Sequence, residues 1–276
     1  MARPVTDIGS FFRKRFMRVL IPFFSWGVIF LALRHLFFSD ELSRRTLIET
    51  LLDPHHTMVT LWYIQALIAF YLVVPLLTFA LHPSRPQVMN YLLIVTIVVS
   101  IIIPSLRVIY PDLYHEFNGV IASTYVVFPI VGYTLSRLKI KTSYAVIFSS
   151  IFIFSYLISI LFGGWASVVS HPYAGLTNSY CCPTTLLIAS SLFYLSRFFC
   201  SRWCPDKLGM LLGHLAGYTF GIYLVHLIVI EVLALYYPTI SLSHQMISVA
   251  LVWAVSFAIT ALIRPIPYLR LIIGGR

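Results

Sequence analysis

The chain has 276 residues, is 59% hydrophobic and 10% charged, and has a mean hydropathy of +0.91. A soluble domain carries about 25% charged residues, so the composition excludes a soluble globular enzyme and points to an all-α integral membrane protein. Continuous apolar runs exclude a membrane barrel, and the net charge of +10 lies between those runs, where it needs no nucleic acid as partner.

The first organising stretch is FFRKRFMRVLIPFFSW, residues 11–26. Arg13, Lys14, Arg15 and Arg18 stand directly before an apolar run over residues 19–38, with Pro22 near the start of that run, where a helix tolerates proline best. Flanking cations stay on the cytoplasmic side and orient the rest of the chain. Arg also offers paired donors that match phosphate oxygens, so the same cluster can hold an anionic ligand. Positive-inside anchoring alone is the plainer account of it. The first apolar segment is too long for a cleavable signal and has no small-residue cleavage site.

Next comes a polar loop, with spacing suited to a short interfacial helix and a surface pair His55–His56. The second segment, residues 59–81, places Trp62 and Tyr63 at its outer end, where aromatic belts belong, and Pro75 at a kink. Residues 91–106 and 120–136 read as the third and fourth segments, separated by a loop with Arg107, Asp112, His115 and Glu116. The basic turn RLKIK leads to a fifth segment over residues 145–164. A small-residue outer loop over 165–183 then precedes a sixth, residues 184–199. The seventh, residues 219–237, contains FGIYLVHLIVIEVL, and the eighth, residues 246–263, ends in the basic tail RPIPYLRLIIGGR.

With the N-terminus inside, only Arg34, Arg44, Arg45 and Arg107 of the 19 Lys and Arg fall outside. That asymmetry predicts about eight transmembrane helices in one bundle, with N- and C-termini cytoplasmic. No internal repeat or linker is visible, so residues 1–276 read as one polytopic domain. The four cysteines show no zinc-type spacing with histidines, and the sequence has no P-loop, dinucleotide fingerprint or HExxH motif, which leaves no metal site.

Ionisable residues within a bilayer are functional candidates. His226 and Glu231 qualify. Tyr223 and His226 share a helix face, whereas Glu231, five residues past His226, points away from it. A histidine satisfied by a neighbouring hydroxyl or carbonyl is the plainer account of His226.

Four stretches together resemble the membrane acyltransferase 3 family. FFRKRFMRVLIPFFSW is similar to its Arg-x-x-Arg pattern before a proline-initiated helix, and LWYIQALIAFYLVVPLL to its Leu-Trp-aromatic segment ending in a Tyr and a Pro. FPIVGYTLSR is similar to its Gly-Tyr segment, and FGIYLVH to its late Gly-Ile-Tyr-Leu-x-His motif. The resemblance implies an O-acyltransferase, most often an O-acetyltransferase, of the bacterial inner membrane. It implies acetyl-CoA or another acyl-CoA as donor and an envelope glycan or lipid-linked sugar as acceptor. By that likeness Arg15 and Arg18 match the donor-binding pair, and Trp62, Tyr63, Tyr223 and His226 match recurring positions.

The family's first helix carries the histidine thought to act in transfer, and nothing before Phe11 matches it. The expectation is therefore a form lacking its first two helices, with little transfer activity alone and with His226 as the one residue able to substitute. A non-catalytic polytopic protein, such as a transporter remnant or interaction partner, is the alternative; the absence of two similar halves argues against a transporter.

The charge map makes a topological prediction. Single cysteines introduced in residues 40–57 or 165–180 should react with an impermeant thiol reagent from the periplasm, while a cysteine at Lys139 should not. Periplasmic labelling at Lys139 would contradict the orientation.

Overall fold

The computed structural model describes residues 7–38, 43–52, 61–81, 85–110, 125–236 and 241–275. Among these residues there is no strand. His55, His56, Asp112, His115 and Glu116 lie outside them. The helices in order are α1 (Ile8–Phe38), α2 (Arg44–Leu52), α3 (Leu61–Ala80), α4 (Pro86–Ile97), α5 (Ile103–Ile109), α6 (Val127–Ser136) and α7 (Thr142–Ile158). They continue with α8 (Gly164–Val168), α9 (Gly175–Asn178), α10 (Pro183–Trp203), α11 (Asp206–Ala216), α12 (Thr219–Tyr236), α13 (Leu242–Ile263) and α14 (Leu269–Ile272).

Seven helical runs among the described residues are long and apolar enough to cross a bilayer. The fourth predicted segment is present there as the ten-residue α6, and residues 120–124 lie outside the description. Large apolar side chains far from any core, among them Leu76, Phe154, Leu161, Val249 and Leu262, are exposed along these runs. Such a surface suits lipid and not water, so this is a multi-pass membrane protein.

Two of the runs contain a widened π turn. Val98–Ile102 joins α4 to α5 just ahead of Pro104, and Ser159–Gly163 joins α7 to α8. A proline ring clashes with the carbonyl four residues back, and the wide turn before Pro104 accommodates it without ending the helix.

The chain divides into two compact units. One comprises residues 72–206. Within it α7 packs along α10, with Tyr194 fully buried and its ring stacked on Phe148 at 4.5 Å. The Tyr194 hydroxyl accepts from the Lys141 amide at 3.0 Å and lies 3.1 Å from the Lys139 carbonyl, which pins the basic turn before α7. Arg197 donates to the Leu135 carbonyl at 2.6 Å, adding a side-chain donor to the Leu138 N–H that the same oxygen accepts at the end of α6.

The other unit comprises residues 7–71 and 207–275. Its core begins on one face of α1. Val19, Phe23, Trp26 and Phe30 recur at alternate spacings of four and three, so they form one buried stripe. The stripe packs with Leu61 and Ile64 of α3 and with Leu224 and Val225 of α12.

The start of α1 differs from the sequence expectation. The helix begins at Ile8, which makes the basic cluster helical and puts buried Pro22 in its interior. Pro22 has no N–H to give the Arg18 carbonyl, so that acceptor loses its helical donor.

α12 and α13 approach closely at Gly221. A Cβ there would lie 2.3 Å from Thr260 Cγ2, nearer than two carbons can sit. Gly221→Ala is therefore expected to destabilise the protein by about 1–3 kcal/mol, read as a lower unfolding midpoint in detergent. Thr260→Ser, which removes the clashing methyl, should recover part of the loss in the double variant. An unchanged midpoint for Gly221→Ala would contradict this packing.

Candidate functional site

The cations of α1 do not share one fate. Arg13, Lys14, Arg15 and Arg18 are all exposed to some degree on the helix surface. Arg18 lines a cavity of about 520 Å³, together with Phe220, Arg264, Arg270, Ile273 and Gly274. Arg15 is not among the lining residues. Its guanidinium lies 5.4 Å from the Phe11 ring centre and 5.6 Å from that of Tyr71, both within cation–π range. Arg15 and Arg18 thus occupy one helix three residues apart, with different neighbours.

The other side of the cavity is built by the chain after α13. Arg264 caps α13, its N–H reaching the Thr260 carbonyl at 3.0 Å. The backbone then reverses through Tyr268, at φ 69°, into α14. Trp26 Nε1 donates to the Ile272 carbonyl at 2.8 Å and fastens this segment to α1. Gly274 comes next at φ 71°, a backbone region that favours glycine. A Cβ there would lie 2.6 Å from the Phe220 ring and 3.3 Å from the Arg18 carbonyl, the oxygen that Pro22 leaves without a helical donor.

The Arg264 guanidinium sits 4.2 Å over the Tyr218 ring. It also presses on Gly217, where a Cβ would come within 3.2 Å of Nη2. Its Nη1 is buried and has no hydrogen-bond partner among the described residues. Among the described residues no carboxylate lines the cavity, while three guanidinium groups do. Guanidinium forks match phosphate and carboxylate oxygens in pairs, so the described lining of this cavity is chemically suited to an anion.

A second cluster lies further along the same helices of this unit. The Trp62 and Tyr63 rings are 6.0 Å apart, Tyr63 and Tyr223 5.2 Å, and Tyr223 and His226 5.6 Å. The four residues singled out in the sequence thus form one chain of ring contacts from α3 to α12. His226 Nδ1 is hydrogen-bonded to the Tyr223 carbonyl. A carbonyl oxygen can only accept, so Nδ1 carries the proton and the neutral ring keeps its lone pair on Nε2.

Glu231, one turn and more beyond His226, meets Arg34 of α1 at 3.9 Å. Both side chains are about a third exposed, at 28% and 32%. Pairing answers how each charge is tolerated in an apolar helix. Along α1, Arg34 stands about 24 Å from Arg18 at 1.5 Å per residue, so the ion pair and the arginine cavity are distant.

Sequence reasoning found Arg18 but not Arg264 or Arg270, which read only as a basic tail. It found Glu231 but not its partner Arg34. The signal available was the spacing of arginines in RPIPYLR, whose two prolines mark a reversal of the chain. Among the described residues, no three His, Cys, Asp or Glu side chains gather as metal ligands.

A family model described as an acyltransferase domain matches residues 2–264. No curated protein and no solved structure matches the chain.

The imidazole geometry is directly measurable. In ¹⁵N-labelled protein at mildly alkaline pH, His226 should show a protonated Nδ1 and an unprotonated Nε2. The opposite tautomer would remove the bond to the Tyr223 carbonyl and contradict this arrangement.

Proposed function

This chain belongs to the acyltransferase 3 family, and from that premise we propose that it transfers an acyl group, most readily acetyl, from acyl-CoA to a hydroxyl of a cell-envelope carbohydrate. The protein sits in the bacterial inner membrane in this reading, with the arginine cavity facing the cytoplasm. The observation that supports it best is the cavity itself, which among the described residues offers an anionic donor three guanidinium groups and no carboxylate.

Arg18 binds the donor directly in this account. Arg15, one turn earlier on the same face, adds positive charge beside it. The acceptor sugar lies against Trp62, Tyr63 and Tyr223, whose flat rings suit the apolar faces of a pyranose and whose polar tips can bond its hydroxyls. Phe220 at the cavity and His226 are six residues apart on α12, about 9 Å along the axis. An extended thioester arm can cover that distance.

The reaction needs a base because a sugar hydroxyl is a poor nucleophile. The hydroxyl oxygen attacks the thioester carbonyl carbon as its proton passes to the base. The carbon–sulfur bond then breaks, the ester remains on the sugar, and the thiolate leaves to take up a proton. His226 Nε2 is the acceptor this chain offers. A positioned general base is worth roughly 10²–10⁴-fold in rate.

The test is genetic and chemical. Deleting the gene should remove O-acyl groups from an envelope carbohydrate, and the intact gene should restore them. Arg18→Ala should fail through weakened acetyl-CoA binding. His226→Ala should retain that binding and lose transfer by roughly 10²-fold or more. Envelope acylation that is unchanged by deletion would contradict the proposed reaction.

A further inference from the structure

The family match ends at Arg264, yet the cavity does not. Arg270, Ile273, Gly274 and Gly275 all lie beyond the matched stretch and form one wall of it. That wall is held in place rather than draped over the surface. Ile273 is 7% exposed, and the Ile272 carbonyl takes the Trp26 indole N–H. Arg264 is held as well, between the Tyr218 ring and Gly217.

We infer that residues 264–275 form a recognition clamp for a nucleotide carrying at least two phosphate groups, with Arg264 and Arg270 closing on it opposite Arg18. The inference rests on acyl-CoA being the donor and assigns the donor's nucleotide end to this chain's own C-terminal segment. Three features select that chemistry. The first is charge: a phosphate monoester carries about −1.5 to −2 at neutral pH, so two phosphate groups bring roughly −3 to −4 to three guanidinium groups. The second is size, since about 520 Å³ is the scale of a small-molecule pocket and far exceeds one inorganic phosphate. The third is the presence of Phe220 and Ile273 among the arginines, which gives a base an aromatic face and an apolar edge to lie on. Arg264 brings a fourth argument. Its buried Nη1 has no hydrogen-bond partner among the described residues, and an anion oxygen would supply one.

Anionic lipid headgroups share the phosphate chemistry, so the experiment separates the two sources. The full chain is placed in phosphatidylcholine nanodiscs and titrated with adenosine 3′,5′-bisphosphate by calorimetry, with acetyl-CoA titrated in parallel. Binding of the bisphosphate is expected, weakened about ten-fold or more by Arg264→Ala or Arg270→Ala. Arg264→Lys should recover only part of the loss, because a point charge cannot reproduce the guanidinium fork. Arg270 is exposed, so its removal should leave the unfolding midpoint unchanged. Arg85→Ala, an exposed arginine of the other unit, should bind as the parent does. If the parent binds both ligands and the Arg264 and Arg270 variants match it, the clamp is wrong and the donor reading stands. If the parent binds neither ligand, both fall. If the bisphosphate fails to bind while phosphatidylglycerol nanodiscs alone raise the midpoint in an Arg270-dependent way, the cavity takes lipid and the inference is overturned.

Discussion

One hydrogen bond joins residues 246 positions apart: Trp26 Nε1 donates to the Ile272 carbonyl at 2.8 Å. The cavity depends on it. Without that tie, α14 and the glycines after it would have no fixed place against α1, and Arg270 would be one more cation on a tail. With it, Ile273 is buried, Gly274 seats against Phe220, and the segment becomes a wall. The bond works because the helix beneath it is rigid. Trp26 belongs to the buried stripe of Val19, Phe23 and Phe30, so its indole is oriented by packing before it meets the carbonyl.

Proline and glycine supply the complementary half of the same device. Pro22 removes a donor from the Arg18 carbonyl, and Gly274 can come near that oxygen only because it has no Cβ and adopts a positive φ. The helix that carries the cavity-lining Arg18 therefore also presents a backbone irregularity at the same residue. The Arg34–Glu231 pair meets a different need further along α1, by matching a charge on α12 with a charge on α1. A membrane-spanning unit tolerates charge only where a partner, a cavity or an interface receives it; on α1 Arg34 has the first and Arg18 the second.

Much of the architecture is legible in the sequence, because bilayer thickness and charge asymmetry act on long, local segments. α3, α10, α12 and α13 fall close to their expected positions for that reason. The ring contacts among Trp62, Tyr63, Tyr223 and His226 join residues that stand out in the sequence, although the contacts themselves are invisible there. The failures have a common cause. Local propensity favours Pro22 at a helix start, and tertiary packing of α1 extends the helix back to Ile8 instead. Arg264, Arg270 and Arg34 escape a sequence reading because their significance comes from residues far away in the chain. No period or spacing within a segment encodes which distant arginine shares a cavity.

Everything proposed for this protein turns on the acyl donor binding in the cavity between Arg18 and the C-terminal segment. Photo-crosslinking can locate that donor. An acetyl-CoA analogue carrying a photoreactive group on its adenine is irradiated with the membrane-embedded protein, and the modified peptides are mapped by mass spectrometry. Labelling is expected to concentrate in residues 216–220 and 264–275 and to be suppressed by excess acetyl-CoA. Competable labelling confined to peptides of residues 72–206, with none at the cavity, would contradict donor binding there.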